Sequence, residues 1–273
     1  MPAYLLVDNG SKKPEATLRL RELAASLGHH TGKKIHAVSL QHADAIDPAQ
    51  LGGEPANIFS NFVRAQLEQG QNAFLVIPLF FGLSRALTSF IPQQVEKLQA
   101  EFGQLHVRVA DVIYPLPDGD ERLAQIMFDH IHAAQSSFAV DAKVVLVDHG
   151  SPSPKITEVR NRVAQSLRNM PGKTYQLAEA VMERREGKEY DFNGDLLECW
   201  LSQQAQKGVD SVIVAMMFFL PGRHAGSCGD IETICENVVK HHPHLQYRIT
   251  PLIGEHPLLL EILSDRLRSI EEK

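Results

Sequence analysis

Short apolar runs recur along the chain, and a turn rich in Gly, Pro or Ser follows most of them before an apolar pattern with helical spacing begins. The runs lie at 4–7, 33–40, 73–81 and 107–113 in the first half, and at 144–147, 174–182, 210–219 and 247–253 in the second. Strand patterns that alternate with helix patterns are typical of a parallel sheet covered by helices. We therefore expect an α/β protein with about four parallel strands per half, in a flavodoxin-like or small doubly wound arrangement.

The two halves are related by an internal repeat. Residues 4–27 and 144–167 align without a gap and share ten of 24 positions. Two further blocks match in the same order, 72–98 with 210–238 and 107–123 with 247–263. Three matched blocks indicate a duplicated domain. We predict an N-terminal domain over 1–132 and a C-terminal domain over 143–273, joined by the small and polar linker 132–142.

Composition narrows the class of protein. The chain has 273 residues and a net charge of −6, and acidic residues outnumber basic ones in both halves. This balance disfavours nucleic acid and anionic membrane as partners. We find neither an apolar run long enough to span a membrane nor a signal peptide at the N-terminus, so we predict a cytoplasmic protein. The three cysteines lack CxxC spacing, and we expect them to be reduced and mostly buried.

Candidate chemistry lies where the strands of the second half end. Asp148-His149-Gly150-Ser151 follows the first strand of that half, and we expect Gly150 and Ser151 to form the turn and cap the next helix. A glycine-flanked loop, Gly222-Arg223-His224, follows the strand at 210–219. The carboxyl ends of parallel strands share one edge of a sheet, so both imidazoles should face one cleft. Two such groups can bind a divalent metal or accept protons near neutral pH.

The first half serves as an internal control for these residues. Asn9 corresponds to His149, Ser84 to His224 and, with a less certain gap, Gln41 to Glu183 at the end of the neighbouring strand. The turn residues Asp, Gly and Ser are shared, but each titrating side chain is replaced by a neutral polar one. The first domain should therefore carry a degenerate site, and the chemistry should belong to the second.

The order of these motifs resembles one known family. An apolar strand ending in His-Gly-Ser, a later Gly-x-His loop before Asp230-Ile231, and a closing Gly254-Glu255-His256-Pro257 are similar to the sirohydrochlorin chelatases, the class II chelatases of CbiX and SirB type. The resemblance covers both halves. It departs from the family pattern in two places. His224 and Asp230 are six residues apart rather than four, and the histidines stand in the second half, whereas many two-domain members keep them in the first.

The resemblance implies ATP-independent insertion of Fe²⁺, Co²⁺ or Ni²⁺ into sirohydrochlorin, for siroheme or cobalamin-type biosynthesis. The metal is then a substrate, and no permanently bound cofactor is expected. His149 and His224 would take pyrrole protons or present the metal, with Glu183 as a third group. The substrate carboxylates would be bound by backbone amides, serines or cations, for which the candidates are Gly150, Ser151, Ser153, Lys155, Arg184, Arg185, Gly222 and Arg223.

Two alternatives stay open at this point. A non-catalytic tetrapyrrole or metal carrier could use the same cleft and release its ligand unchanged. A metal-assisted hydrolase is less favoured, because the chain has no Gly-x-Ser-x-Gly, Walker or His-Glu-x-x-His motif. A chain that contains both halves of the cleft needs no second copy, so we expect a monomer.

Overall fold

The computed structural model describes residues 1–136, 138, 142–172 and 175–272. The chain divides into two compact units, Met1–Asp118 with Leu260–Lys273, and Gly119–Leu259. Each unit is built on one sheet, and every strand pair in both sheets is parallel. The predicted α/β class and the parallel sheet in each half are confirmed.

The first unit contains a four-stranded sheet in the order β2-β1-β3-β4. Its strands are β1 (Ala3–Asp8), β2 (Ile35–Ser39), β3 (Ala73–Pro78) and β4 (His106–Val109). The helices of this half are α1 (Pro14–Thr31), α2 (Phe59–Glu68) and α3 (Ile91–Phe102). The central strands β1 and β3 contribute Leu5, Val7, Phe74 and Val76 to a core that includes Phe59 and Ile91 of the covering helices.

The second unit contains a five-stranded sheet in the order β7-β6-β5-β8-β9. Its strands are β5 (Lys143–Asp148), β6 (Leu177–Val181), β7 (Asp195–Leu196), β8 (Ser211–Met216) and β9 (Gln246–Ile249). The helices are α5 (Pro154–Asn169), α6 (Leu197–Gln206) and α7 (Asp230–His241). Only β7, of two residues, was not predicted. The start of the predicted strand at 174 lies outside the described residues.

The closing helix of each half packs in the other unit. Helix α4 (Glu121–Gln135) ends the first half of the sequence, yet it belongs to the second unit, where it packs against α5 and β8. Most of α8 (Pro257–Glu271) belongs to the first unit, where Arg266 donates hydrogen bonds to the carbonyls of Val112 and Ile113. The predicted division into 1–132 and 143–273 follows the repeat, and the compact units differ from it at both helices.

The predicted linker 132–142 is partly helical. Residues 132–135 are the last turn of α4. The apolar pattern of this helix continues to the buried Ile131, and the residues after it complete the final turn instead of leaving the helix. Residues 137 and 139–141 of the linker lie outside the described residues. Within the described part of the chain, no helix is long and apolar enough to cross a membrane.

Candidate active site

His149 stands on a tight turn at the carboxyl end of β5. The next residue, Gly150, has φ +91°, and a Cβ there would lie 1.9 Å from the carbonyl oxygen of Glu183. Any other residue would be strained and would clash with backbone, so the position requires glycine. The amide of Glu183 in turn donates to the carbonyl of His149 at 3.1 Å. The close approach of these two strand ends sets His149 beside Glu183.

The structure brings the three predicted side chains together. Nε2 of His149 is 3.3 Å from Oε1 of Glu183, and both side chains are about half exposed to solvent. The rings of His149 and His224 pack edge to face, with centroids 4.7 Å apart and an interplanar angle of 70°. The rim at the carboxyl ends of the strands of the second unit therefore carries two imidazoles and one carboxylate in contact.

The hydrogen bond at the far side of His149 fixes what its Nε2 can do. Nδ1 lies 3.0 Å from the carbonyl oxygen of Gly150, which can only accept, so Nδ1 carries the proton in that bond. In the neutral ring Nε2 then has a free lone pair that faces a carboxylate oxygen of Glu183. Two acceptors in contact are stable only with a proton or a cation between them. The pair is thus suited to accept a proton or to bind a metal ion.

Asp230 orients the second imidazole, a role that sequence reasoning missed. Its Oδ2 lies 2.7 Å from Nδ1 of His224, so the aspartate accepts the Nδ1 proton, and in the neutral ring Nε2 carries the lone pair. A carboxylate that accepts from the far nitrogen of a histidine is a common support for metal ligands and bases. The only sequence signal was the Asp230-Ile231 motif, which does not reveal this contact.

Backbone hydrogen bonds in the loop after β8 keep His224 next to the start of α7. The amide of Asp230 donates to the carbonyl of Arg223, and the amide of Ile231 donates to that of His224. Residues 225–229 form the excursion between these bonds, and a Cβ on Gly229 would lie 3.0 Å from the carbonyl oxygen of His224. Residues 225–229 thus form a short excursion, and His224 stays beside the carboxylate of Asp230.

The rim falls short of a complete metal site on its own. Among the described residues, no cluster of three or more His, Cys, Asp or Glu side chains is arranged to hold a metal ion. The contacts are pairwise, His149 with Glu183 and with His224. Such a partial donor set is compatible with a metal that is passed on to other ligands.

The serines after His149 are engaged differently from the prediction. Helix α5 begins at Pro154, and Ser153 occupies its N-cap position without a side-chain cap bond. Ser151 does not cap the helix, because its Oγ accepts from the amide of Ser153 at 3.0 Å. The Ser151 amide donates to Oδ1 of Asn193. The amides of Ser151 and Ser153 both donate within the protein and are therefore not free to bind a substrate carboxylate. The two serines do lie at the rim, as predicted.

Several predicted cations are also occupied within the protein. Arg184 forms an ion pair with Asp191 and donates to the carbonyl of Gly194. The Arg185 guanidinium lies 5.8 Å from the ring centre of Tyr190. The Arg223 side chain is 77% exposed, against 33% for Arg184, and its Nε lies 3.6 Å from Oδ2 of Asp230. The amide of Gly222 donates to the carbonyl of Ala225. Arg223 and the exposed Lys155 are thus the cations best placed to reach a ligand.

A buried polar network lies directly beneath the turn. Asp148 accepts from the amide of Gly150 and, at 3.0 Å, from Nη1 of Arg160. Burial raises the pKa of the Asp148 carboxyl above its ordinary value, and the positive charge of Arg160 opposes this shift. Nη2 of Arg160 donates to the carbonyl of Asn193 at 2.8 Å.

The other histidines and the cysteines have structural or surface positions. His256 is partly buried, with Nε2 3.2 Å from Oδ2 of Asp129 and Nδ1 accepting from the amide of Leu258 at the start of α8. His241 and His244 hydrogen-bond to backbone carbonyls. Cys235 is buried, but Cys199 and Cys228 are exposed, so the expectation of mostly buried cysteines was wrong. Cys228 lies in the exposed loop before α7.

The first unit repeats the turn without the titrating side chains. Gly10 has φ +89°, and a Cβ there would lie 1.9 Å from the carbonyl oxygen of Gln41. The amide of Gln41 donates to the carbonyl of Asn9, as Glu183 does to His149. These bonds establish that Gln41 is the counterpart of Glu183, which the sequence left uncertain.

Comparison with known proteins agrees with this architecture. A family model described as CbiX matches residues 3–132 and again residues 143–270. The chain belongs to the CbiX family. Both halves match the model, so the family assignment rests on the duplication as well as on the strand-end motifs.

Individual curated relatives share less than 30% sequence identity with this chain, over about half of its length. A sirohydrochlorin ferrochelatase from Priestia megaterium is 28% identical over 128 residues, 45% of this chain and 46% of the relative. The chain spans about half the length of the curated relatives that it matches.

Solved structures match over nearly the full length. SirB from Bacillus subtilis with Fe³⁺ has a TM-score of 0.70 at 17% identity, covering 98% of this chain and 95% of that one. SirB from B. subtilis subspecies spizizenii in complex with cobalt has the same TM-score and identity and covers 100% and 96%. At this identity the match establishes a shared two-domain fold.

Proposed function

We propose that the protein is a sirohydrochlorin chelatase, which inserts Fe²⁺ or Co²⁺ into the tetrapyrrole without ATP. The observation that carries the proposal is the contact of His149, Glu183 and His224 at one rim, whereas Asn9, Gln41 and Ser84 stand at the matched positions of the first unit. Membership of the CbiX family supports it, as do a relative named sirohydrochlorin ferrochelatase and related structures that contain iron or cobalt.

The rim residues suit the two needs of the reaction. A divalent metal replaces two pyrrole protons, so the protein must receive protons and offer the metal without retaining it. His149, with its free Nε2 facing Glu183, would accept a proton, and the carboxylate would stabilise the resulting imidazolium. His224, oriented by Asp230, would present its own Nε2 to the metal.

The substrate carboxylates would meet the exposed cations of this rim. Arg223 and Lys155 are the candidates that the internal contacts leave most accessible. The hydroxyl groups of Ser151 and Ser153 remain candidates for hydrogen bonds to the macrocycle. Iron and cobalt share imidazole and carboxylate ligands, so the metal used in the cell depends on supply as well as on the site.

The experiment is a turnover assay with purified protein, sirohydrochlorin and either Fe²⁺ or Co²⁺, followed by absorption. A chelatase converts many equivalents of substrate per protein, whereas a carrier changes the spectrum once and stoichiometrically. We expect multiple turnovers, and we expect them to be lost in His149→Ala with the circular dichroism spectrum retained. A single stoichiometric change would favour the carrier. Light scattering checks the expected monomer.

A further inference from the structure

The structure assigns a role to two buried residues outside the rim. We infer that Arg160 and Asn193 are positioning residues, which hold the backbone from Asp148 to Ser151 so that His149 keeps its place beside Glu183 and His224. The inference rests on the proposed function for its catalytic meaning, but its geometry is independent of it.

Asn193 binds both backbone groups of Ser151. It is fully buried, its Oδ1 accepts from the Ser151 amide at 3.0 Å, and its Nδ2 donates to the Ser151 carbonyl at 2.9 Å. The remaining capacity is used by Thr157 Oγ1 and the Tyr190 carbonyl. An asparagine with two donors and two acceptor sites in use cannot rotate without losing bonds. The residue two places after His149 is thereby fixed.

Arg160 fixes the residue before His149 and connects it to Asn193. Its side chain is 3% exposed, and it donates to Asp148 Oδ1 through Nη1 and to the Asn193 carbonyl through Nη2. Its Nε lies 3.5 Å from Glu179, which also pairs with Arg168 at 2.7 Å. Arg160 therefore connects Asp148, directly before the histidine, to Asn193, which binds Ser151 after it.

The first unit shows that the turn does not need this network in order to form. Leu20 stands at the position of Arg160, and the strand pairings place Ala37 at Glu179 and Pro55 at Asn193. The turn has nonetheless the same glycine geometry and the same amide bond to the neighbouring strand end.

Burial of an arginine with two carboxylates carries a desolvation cost that an apolar residue avoids. In the first unit Arg21, one position further along the equivalent helix, donates to the carbonyls of Leu51, Glu54 and Pro55. Oδ1 of Asp8 has no partner among the described residues, so the bond from a buried arginine to the aspartate of the turn is present only where the histidine stands. We therefore infer that the buried contacts of Arg160 and Asn193 hold the imidazole in position and are not needed for the turn to fold.

Binding of Co²⁺ alone, measured by calorimetry, tests this inference. Asn193→Ala removes the clasp on Ser151, and Arg160→Lys keeps a cation but is unable to bond Asp148 and Asn193 with one planar group. Thr157→Val is the matched control, since it removes a hydrogen bond from the same asparagine without touching the backbone of the turn. His149→Ala establishes that the binding measured is that of the rim.

We expect the Co²⁺ dissociation constant to rise about tenfold or more in Asn193→Ala and Arg160→Lys, and to stay within about twofold in Thr157→Val. Dissociation constants within twofold of wild type in folded Asn193→Ala and Arg160→Lys overturn the inference, as does wild-type binding that is absent or insensitive to His149→Ala. Should Asn193→Ala fail to fold, Arg160→Lys decides alone. Expected Co²⁺ results without tetrapyrrole turnover would refute the proposed function and leave the positioning role intact.

Discussion

Two turns of the same backbone geometry differ in what lies above and beneath them. After β1 the sequence Asp8-Asn9-Gly10 places no titrating group at the rim, and after β5 Asp148-His149-Gly150 places an imidazole there. Beneath the first turn, Oδ1 of Asp8 is buried without a hydrogen-bond partner in the described part of the chain. Beneath the second, Asp148 is paired with Arg160.

The two halves share the backbone of the turn but differ in the buried residues that contact it. Glycine at φ near +90° and the amide bond between adjacent strand ends are sufficient to form the turn, because both halves have them. Among the described residues, only the second half has a buried arginine paired with the aspartate of the turn. We therefore treat the shared features as requirements of the fold and the unshared ones as requirements of the chemistry.

The largest expected effect on stability comes from making the second turn resemble the first. Arg160→Leu leaves the buried Asp148 without its cation, while Glu179 keeps Arg168, and removing one partner of a buried ion pair costs about 3 to 5 kcal/mol. Urea unfolding should show a loss of this size. Arg162→Leu is the matched control on the same helix, since its pair with Glu158 is exposed and should contribute less than about 1 kcal/mol. Equal losses in both variants would contradict the account.

A smaller effect of opposite sign is expected at the first turn. Burial raises the pKa of Asp8 from its ordinary 3.8 to about 6, so the folded state favours the protonated carboxyl. The stability gained from that proton is complete below pH 4 and is lost as pH rises through 6. Asp8→Asn should therefore raise the free energy of unfolding at pH 8 by about 1 to 3 kcal/mol and leave it unchanged near pH 4.

Urea unfolding of the wild type and of Asp8→Asn at pH 4 and pH 8, monitored by circular dichroism, measures this change in the free energy of unfolding. The residue as a whole is partly exposed, so the lower end of the range applies if water reaches its second oxygen. A stabilisation by Asp8→Asn that is the same at both pH values would show that ionisation of Asp8 is not the cause.

The smallest expected effect concerns the carboxylate of the rim. Glu183→Gln keeps the size of the side chain but removes the charge that faces Nε2 of His149 at 3.3 Å. Loss of one charge partner of a partly exposed base should lower kcat about tenfold, or about 1.4 kcal/mol. Gln41→Ala, at the equivalent position of the first unit, should leave kcat within about twofold. A similar fall in both variants would remove the basis for placing the chemistry in one half.

The sequence was sufficient for the fold class and for the rim because both depend on local patterns. Strand ends followed by Gly mark a turn wherever they occur, and the repeat identified His149 and His224 as the residues that the other half lacks. The support of the rim was not predictable. Asn193 lies 42 residues from Ser151 in sequence, and the two residues come into contact only in the folded chain. A buried arginine on an amphipathic helix gives the same sequence pattern as an exposed one.

The exchange of closing helices had no sequence signal either. Helices α4 and α8 occupy equivalent places in the repeat, and an apolar face indicates that a helix packs against a sheet but not against which of two similar sheets. The contact of Asp230 with His224 depends on a loop conformation set by the glycines at 226 and 229. Such features follow from tertiary packing, which residue patterns constrain only weakly.

The central claim is that one rim of two performs the chemistry, and conversion of the second rim into the first tests it most directly. The double variant His149→Asn with His224→Ser gives the second unit the rim residues of the first. Multiple-turnover metal insertion into sirohydrochlorin, measured for wild type and this variant with circular dichroism as the folding control, should show many turnovers for the former and a loss of at least about 100-fold for the latter. Equal rates for the two folded proteins would contradict the account.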